Sequence, residues 1–251
     1  MNDELKNSLW NLLNVYLWNK SGFTYDSRGR NIGELKDFSS KLWFHYFKEP
    51  IDDRPKHPHL IIGYIREYFF RVDWFEVYDI LEFIFQIKKD PKMLRDLNSI
   101  LERELAGYRF LKGKFVPVTD KQEIEALEIA LSDGPYDGVQ AHLNQALEHL
   151  SRRENPDYRN SIKESISALE SMTRIITGKE KATLGDALND LEKNGRLHPA
   201  LKRSFSALYG YTSDEGGIRH AMLEKPDIGV NDAKYFLISC SAFINYLKTK
   251  T

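Results

Sequence analysis

The chain has 251 residues, 41% hydrophobic and 29% charged, with a formal net charge of −1 from 36 basic and 37 acidic side chains. That composition belongs to an ordinary globular protein with one large or two small cores, and the near-zero charge argues against coating nucleic acid by bulk electrostatics. Cys240 is the only cysteine, which excludes an internal disulfide and any Cys-rich zinc site.

Apolar residues recur at helical spacing along nearly the whole chain. Leu5, Leu9, Leu12, Leu13, Tyr16 and Leu17 form the stripe of a first helix, which the turn formers of SGFTYDSRGRN end. A second helix is predicted from Ile32 to Phe47. Pro50, Pro55 and Pro58 then bracket a polar connection that cannot be helical throughout. Aromatic-rich helices follow at 59–71 and 73–88, and another after Pro91 that ends at Gly107. The density of Ile, Leu and Val among these aromatics favours core packing over base-stacking platforms, and any exposed remainder marks a protein interface.

Tyr108–Val118 is the one β signal: YRFL and KFVPV flank Lys112-Gly113 as a small hairpin. Thr119 reads as the next N-cap, with Gln122 as its reciprocal partner. The boundary between two parts is drawn here, giving 1–118 and 119–251. Further helices are predicted at 120–132, 137–152, 158–177, 184–194, 199–210 and 231–248, with Thr183 as a cap and Pro199 in a first helical position. The expected fold class is all-α, helical bundles with one small β-hairpin between the two parts.

No stretch approaches the ~18–20 apolar residues that span a bilayer. The segment MNDELKNSLW has neither a basic leader nor an apolar h-region. A cytoplasmic protein with no membrane partner is expected. There is no phosphate loop, GxGxxG, HExxH or GxSxG, so nucleotide-dependent, zincin and α/β-hydrolase chemistries are disfavoured. No cofactor is implied. His142 and His149 lie seven apart on one helix without a carboxylate at ligand spacing, and His57 and His59 sit in a proline-rich turn; neither pair reads as a metal site.

The segment carrying most chemistry is Tyr209–Met222, YGYTSDEGGIRHAM. Gly216 and Gly217 allow backbone conformations closed to other residues, or close approach of another chain. Arg219 offers a forked cation matched to phosphate, and His220 exchanges a proton near neutral pH. Together they meet the needs of RNA cleavage by 2′-hydroxyl attack without a metal, with Asp214 or Glu215 orienting the imidazole. The same residues also make a good helix entry, with Thr212 or Ser213 as its cap and Arg219 paired to Asp214 or Glu215. On the helix NSIKESISALESMTRIITG, Lys163, Ser167, Glu170 and Arg174 share a face away from the stripe Ile162, Ile166, Leu169, Met172 and Ile176. That face is either solvated or a polar wall turned toward the Arg219–His220 loop.

The stretches at 160–178, TLGDAL at 183–188, HPALKRSFSALYGYTSDEGGIRHAM at 198–222 and DAKYFLISCSAFINYL at 232–247 resemble HEPN-type helical domains. Such domains are attached to AbiJ-like abortive-infection regions, which YRFLKGKFVPVTDKQEIEALE at 108–128 resembles less specifically. The resemblance implies a helical bundle that dimerises, so that two Arg-and-His motifs face each other in a metal-independent ribonuclease site of toxin or phage-defence type. His220 matches the family's histidine and becomes the acid/base. The positions of the family's arginine hold Thr212, Ser213, Asp214 and Glu215, so Arg219, or Arg174 from the neighbouring helix, takes the phosphate. Glu170, Lys163, Ser213, Gly216 and Gly217 complete the expected RNA-binding surface. The implied partners are an RNA substrate, a second copy of the chain, and a protein bound through the N-terminal part. The departure at the arginine keeps open a non-catalytic module for dimerisation or partner binding.

Overall fold

A computed structural model describes residues 1–18, 33–132, 134–179, 183–213 and 228–250, with the backbone alone for 211–213. The described residues form eleven α-helices and one two-stranded hairpin, as the periodicity predicts. The chain divides into two compact units, Met1–Phe115 and Val116–Thr251.

In the first unit, α1 (Asp3–Leu13) begins where the Asn2 side chain accepts the Leu5 amide at 3.1 Å. It continues as a π-helical stretch, Asn14–Trp18. Helix α2 (Glu34–Lys41) likewise runs on into a π-helical Leu42–Phe47. The predicted start at Ile32 and the SGFTYDSRGRN turn lie outside the described residues. Helices α3 (Pro58–Arg71) and α4 (Trp74–Ile87) occupy the predicted spans, each starting as its sequence demands: a proline in the first turn of α3, and Glu76 reaching back to the Asp73 amide at 3.1 Å in α4.

Helix α5 (Pro91–Arg103) stops short of Gly107. Leu105 turns the chain instead, at φ 51°, with its amide on the Glu102 carbonyl and the Ala106 amide on that of Leu101. This is a Schellman closure with leucine in the place glycine favours.

Most aromatics of this unit pack in or against the core, with Phe44 and Trp74 left exposed. Trp10 packs on Phe69 at 5.5 Å and Trp43 on Tyr64 at 4.8 Å, and Trp43, Phe69 and Phe115 are essentially inaccessible. Truncating such a side chain costs about 3–5 kcal/mol. Strands β1 (Arg109–Leu111) and β2 (Lys114–Val116) pair through the Lys112-Gly113 turn, both residues at positive φ. Two positive φ values in a two-residue turn match the twist of paired strands.

In the second unit, α6 (Lys121–Ala130) is capped by Asp120 rather than by Thr119. The Asp120 carboxylate accepts the amides of Gln122 and Glu123 at 2.9 and 3.0 Å. A carboxylate satisfies two orphan donors and faces the positive end of the helix dipole. Helices α7 (Asp137–Ser151), α8 (Tyr158–Thr177) and α9 (Leu184–Lys193) follow the predicted bounds closely, and Thr183 caps α9 as expected.

Helix α10 (Pro199–Ser213) begins at Pro199, with His198 Nδ1 accepting the Ala200 amide at 3.1 Å. It runs three residues past the predicted end. Helix α11 (Val230–Lys248) begins one residue earlier than predicted, where Asp232 accepts the Gly229 amide at 2.9 Å.

Helix α8 packs against α7, α9 and α11, burying Ile162, Ile166, Leu169 and Met172 together with Leu237, Cys240 and Ile244 of α11. Polar ties fix the register. Ser161 Oγ donates to the Ala146 carbonyl at 2.9 Å, and Asn245 Nδ2 to the Ala126 carbonyl at 2.8 Å. Lys248 Nζ closes the carbonyl end of α6 through Ile129 and Ala130. None of the described helices is long and apolar enough to cross a membrane.

Candidate functional site

The polar face of α8 has one organised end. Ile162, Ile166, Leu169 and Met172 face inward, which turns Lys163, Ser167, Glu170 and Arg174 away from the core. At its C-terminal half, Tyr209 Oη of α10 donates to Glu170 Oε1 at 3.2 Å, and Arg174 Nη2 lies 3.9 Å from Glu170 Oε2. The Glu170 side chain is only 14% exposed, whereas that of Arg174 is 47% exposed. A mostly covered carboxylate thus holds a phenol on one oxygen and a guanidinium on the other.

Tyr209 comes four residues before the end of α10, about one helical turn, so its bond fixes the last turn of α10 beside α8. The chain then enters the segment from Asp214 onward. Asp214, Glu215, Gly216, Gly217, Arg219 and His220 lie outside the described residues. Ser213 closes α10, with its backbone alone described. Of the predicted residues, therefore, the structure brings Glu170 and Arg174 together. Lys163 stands two turns further back, exposed, about 10 Å along the axis from Glu170.

Tyr209 was not singled out as a site residue from sequence. The signal was its place at the head of the chemistry-rich segment and inside the helix predicted for 199–210.

A separate His–carboxylate contact ties α7 to α8. His142 Nδ1 of α7 lies 2.7 Å from Glu164 Oε2 of α8, a residue from the same helix as Glu170 but on its α7 side. This pairing gives His142 a carboxylate that the sequence spacing does not reveal. His149, two turns along α7, is about 10 Å away along the axis. Among the described residues no group of three or more His, Cys, Asp or Glu side chains is arranged to hold a metal ion.

Electrostatics around the bundle are local. The Asp157 carboxyl at the start of α8 is subject to burial, which would raise its pKa. Hydrogen bonds from the Asn160 amide at 3.1 Å and side chain at 2.7 Å outweigh this and hold it below the usual range. Burial pushes the Cys240 thiol up to about 12, far from any nucleophilic role.

Between α10 and α11 runs an open apolar groove lined by Leu201, Phe205, Leu208, Tyr235, Phe243 and Tyr246. The Phe205 and Phe243 rings stack within it, and Tyr235 is 59% exposed.

Comparison with curated proteins and with solved structures returns no match. A family model described as AbiJ N-terminal domain 4 matches residues 1–133, which spans the first unit and continues through α6. With more than half of its length matched, the chain belongs to the AbiJ N-terminal domain 4 family, a family of abortive-infection, antiviral defence.

Proposed function

We propose that the chain is a metal-independent endoribonuclease of antiviral defence, its second unit being a HEPN-like bundle. The observation that carries this reading is the Tyr209–Glu170–Arg174 contact at the end of α10. It sets a covered carboxylate and a phosphate-competent cation where the chain enters the segment holding Arg219 and His220.

In the proposed reaction, His220 takes the proton of a ribose 2′-hydroxyl, whose oxygen attacks the adjacent phosphorus. The 5′-oxygen of the next nucleotide leaves and receives a proton from the imidazolium of His220 in a second copy. The products are a 2′,3′-cyclic phosphate and a 5′-hydroxyl. Arg219 and Arg174 neutralise charge on the phosphorane. Asp214, Glu215 and Glu170 orient these groups, while Lys163, Ser213, Gly216 and Gly217 contact the RNA backbone. The protein acts as a homodimer in the cytoplasm and needs no cofactor.

The test is incubation of total RNA and tRNA with purified protein in EDTA, alongside Arg219→Ala and His220→Ala. Cleavage by the wild type, lost in both folded variants, is expected. Cleavage that survives His220→Ala overturns the assignment.

A second reading is favoured by the α10–α11 groove: a non-catalytic module that self-associates or recruits a partner through this apolar face, with the N-terminal unit offering a further protein contact. It predicts a dimer that Tyr235→Asp disrupts, with no cleavage of RNA at any protein concentration. Because both readings expect a dimer, the nuclease assay on the wild type separates them, and sedimentation velocity of Tyr235→Asp tests the groove.

A further inference from the structure

In the first unit, three aromatic rings converge on one open pocket of about 440 Å³. Trp74 and Tyr78 come from the first turns of α4, and Tyr108 from the approach to β1. Their centroids are 5.4–5.8 Å apart and their planes are inclined at 82° for Trp74–Tyr78, 42° for Trp74–Tyr108 and 59° for Tyr78–Tyr108. Rings set at such angles make a corner rather than a stack. Tyr78 is backed by Phe115 at 4.2 Å, nearly parallel, which fixes the inner wall. Trp74 remains 38% exposed.

The mouth is built by the end of α5. The closure through Leu105 holds that leucine 89% exposed and turns Glu104 into the lining. A branched residue in the left-handed region carries a backbone cost that glycine would avoid.

The pocket's lining holds one carboxylate, Glu104, and reaches Met1. Asp3 and Glu4 lie in the first turn of α1, and Asp73 and Glu76 flank Trp74. Two neighbouring cations are engaged, Arg103 on the lining carboxylate Glu104 itself. Lys6 Nζ donates to the carbonyls of Phe70 and Val72 at 3.0 and 2.9 Å, and Arg103 lies on Glu104 Oε1 at 2.7 Å. Aromatic faces present negative potential to a cation, and the three rings here offer that surface.

We propose that this pocket binds an organic cation, an alkylated ammonium group seated against Trp74 and Tyr108. The pocket lies wholly within the first unit, and the proposal is independent of the ribonuclease reading.

The test is ligand-observed proton NMR on the tag-free full chain, titrated with choline, with a peptide carrying trimethyllysine, and with 3,3-dimethylbutan-1-ol. The last is choline's uncharged isostere. The expected result is a saturable upfield shift of the N-methyl protons, caused by the ring currents, with the isostere binding at least tenfold more weakly. Trp74→Leu should weaken binding at least tenfold, while Trp74→Phe, which keeps a ring, should retain most of it. Because Trp74 is partly exposed, both variants should keep the wild-type circular dichroism. Tighter binding of the peptide assigns the cation to a protein side chain, and tighter binding of choline to a free small molecule. Equal binding of the isostere, no saturable shift, or an unchanged affinity in folded Trp74→Leu overturns the proposal.

Discussion

Tyr209 donates its phenolic hydrogen to Glu170 across 3.2 Å, and so ties the last turn of α10 to the polar face of α8. Removing the hydroxyl with Tyr209→Phe deletes one partly buried hydrogen bond and should cost about 1 kcal/mol of stability. Its effect on RNA cleavage should exceed this, because the bond fixes the helix end from which the Arg219–His220 segment departs. A loss of about tenfold, equivalent to about 1.4 kcal/mol in the barrier, is expected. Single-turnover rates and thermal midpoints measured on the same preparations check the prediction. A rate equal to wild type would separate this contact from catalysis.

Glu82 of α4 carries a different kind of tie. Its buried carboxylate accepts the Phe115 amide at 2.8 Å, with Lys114 Nζ 3.6 Å from the other oxygen. Glu82→Ala strands a buried backbone donor and should destabilise the first unit by about 1–3 kcal/mol. Glu82→Gln still accepts the amide and should lose less, since the ion pair with the partly exposed Lys114, at 3.6 Å, contributes little. Urea unfolding of the two variants gives the ordering, and equal losses would refute it.

The helices were legible because apolar period and caps agreed. The stripe of α8 and the Thr183 cap of α9 are local signals, readable within a few residues. The Glu170–Tyr209 contact is 39 residues apart in sequence, and no local pattern encodes it. Likewise His142 looked solitary because Glu164 meets it only when α7 folds back on α8. Helix α10, expected over 199–210, runs on to Ser213 although Gly210 and Thr212 are poor helix formers. Helix α5, expected to end at Gly107, stops at Arg103, and Leu105 turns the chain in the left-handed region. The π-helical stretches of the first unit bury Tyr16, Trp18 and Trp43, and an apolar stripe alone does not distinguish them from α-helix.

Asp157 supplies a pH signature. Its folded pKa lies below the ordinary value because the bonds from Asn160 outweigh the effect of burial. A depressed carboxyl stabilises the fold in full above its unfolded pKa of about 3.9, and that stabilisation is lost as pH falls through the lower folded value. Asp157→Asn, which keeps an N-cap but carries no charge, should be less stable than wild type at neutral pH. The two should converge as pH falls below about 4. Denaturant midpoints measured from pH 7 downward test this, and a constant gap across that range would contradict it.

Cys240 reports on the core of the second unit. It sits on α11 with no accessible surface, facing the same interior as Leu237 and Ile244, and burial raises its thiol pKa to about 12. Since the thiolate is the reactive species, a disulfide reagent at pH 8 should leave Cys240 unmodified in the native protein and label it fully in denaturant. The labelling rate in native buffer then measures opening of the bundle. Cys240→Ser puts a hydroxyl into an apolar site and should speed unfolding, whereas Cys240→Ala removes only the sulfur and should cost about 1–2 kcal/mol. Rapid labelling of the native wild type would mean that α11 does not seal the bundle, and with it the packing of α8 and α11 described above would fail.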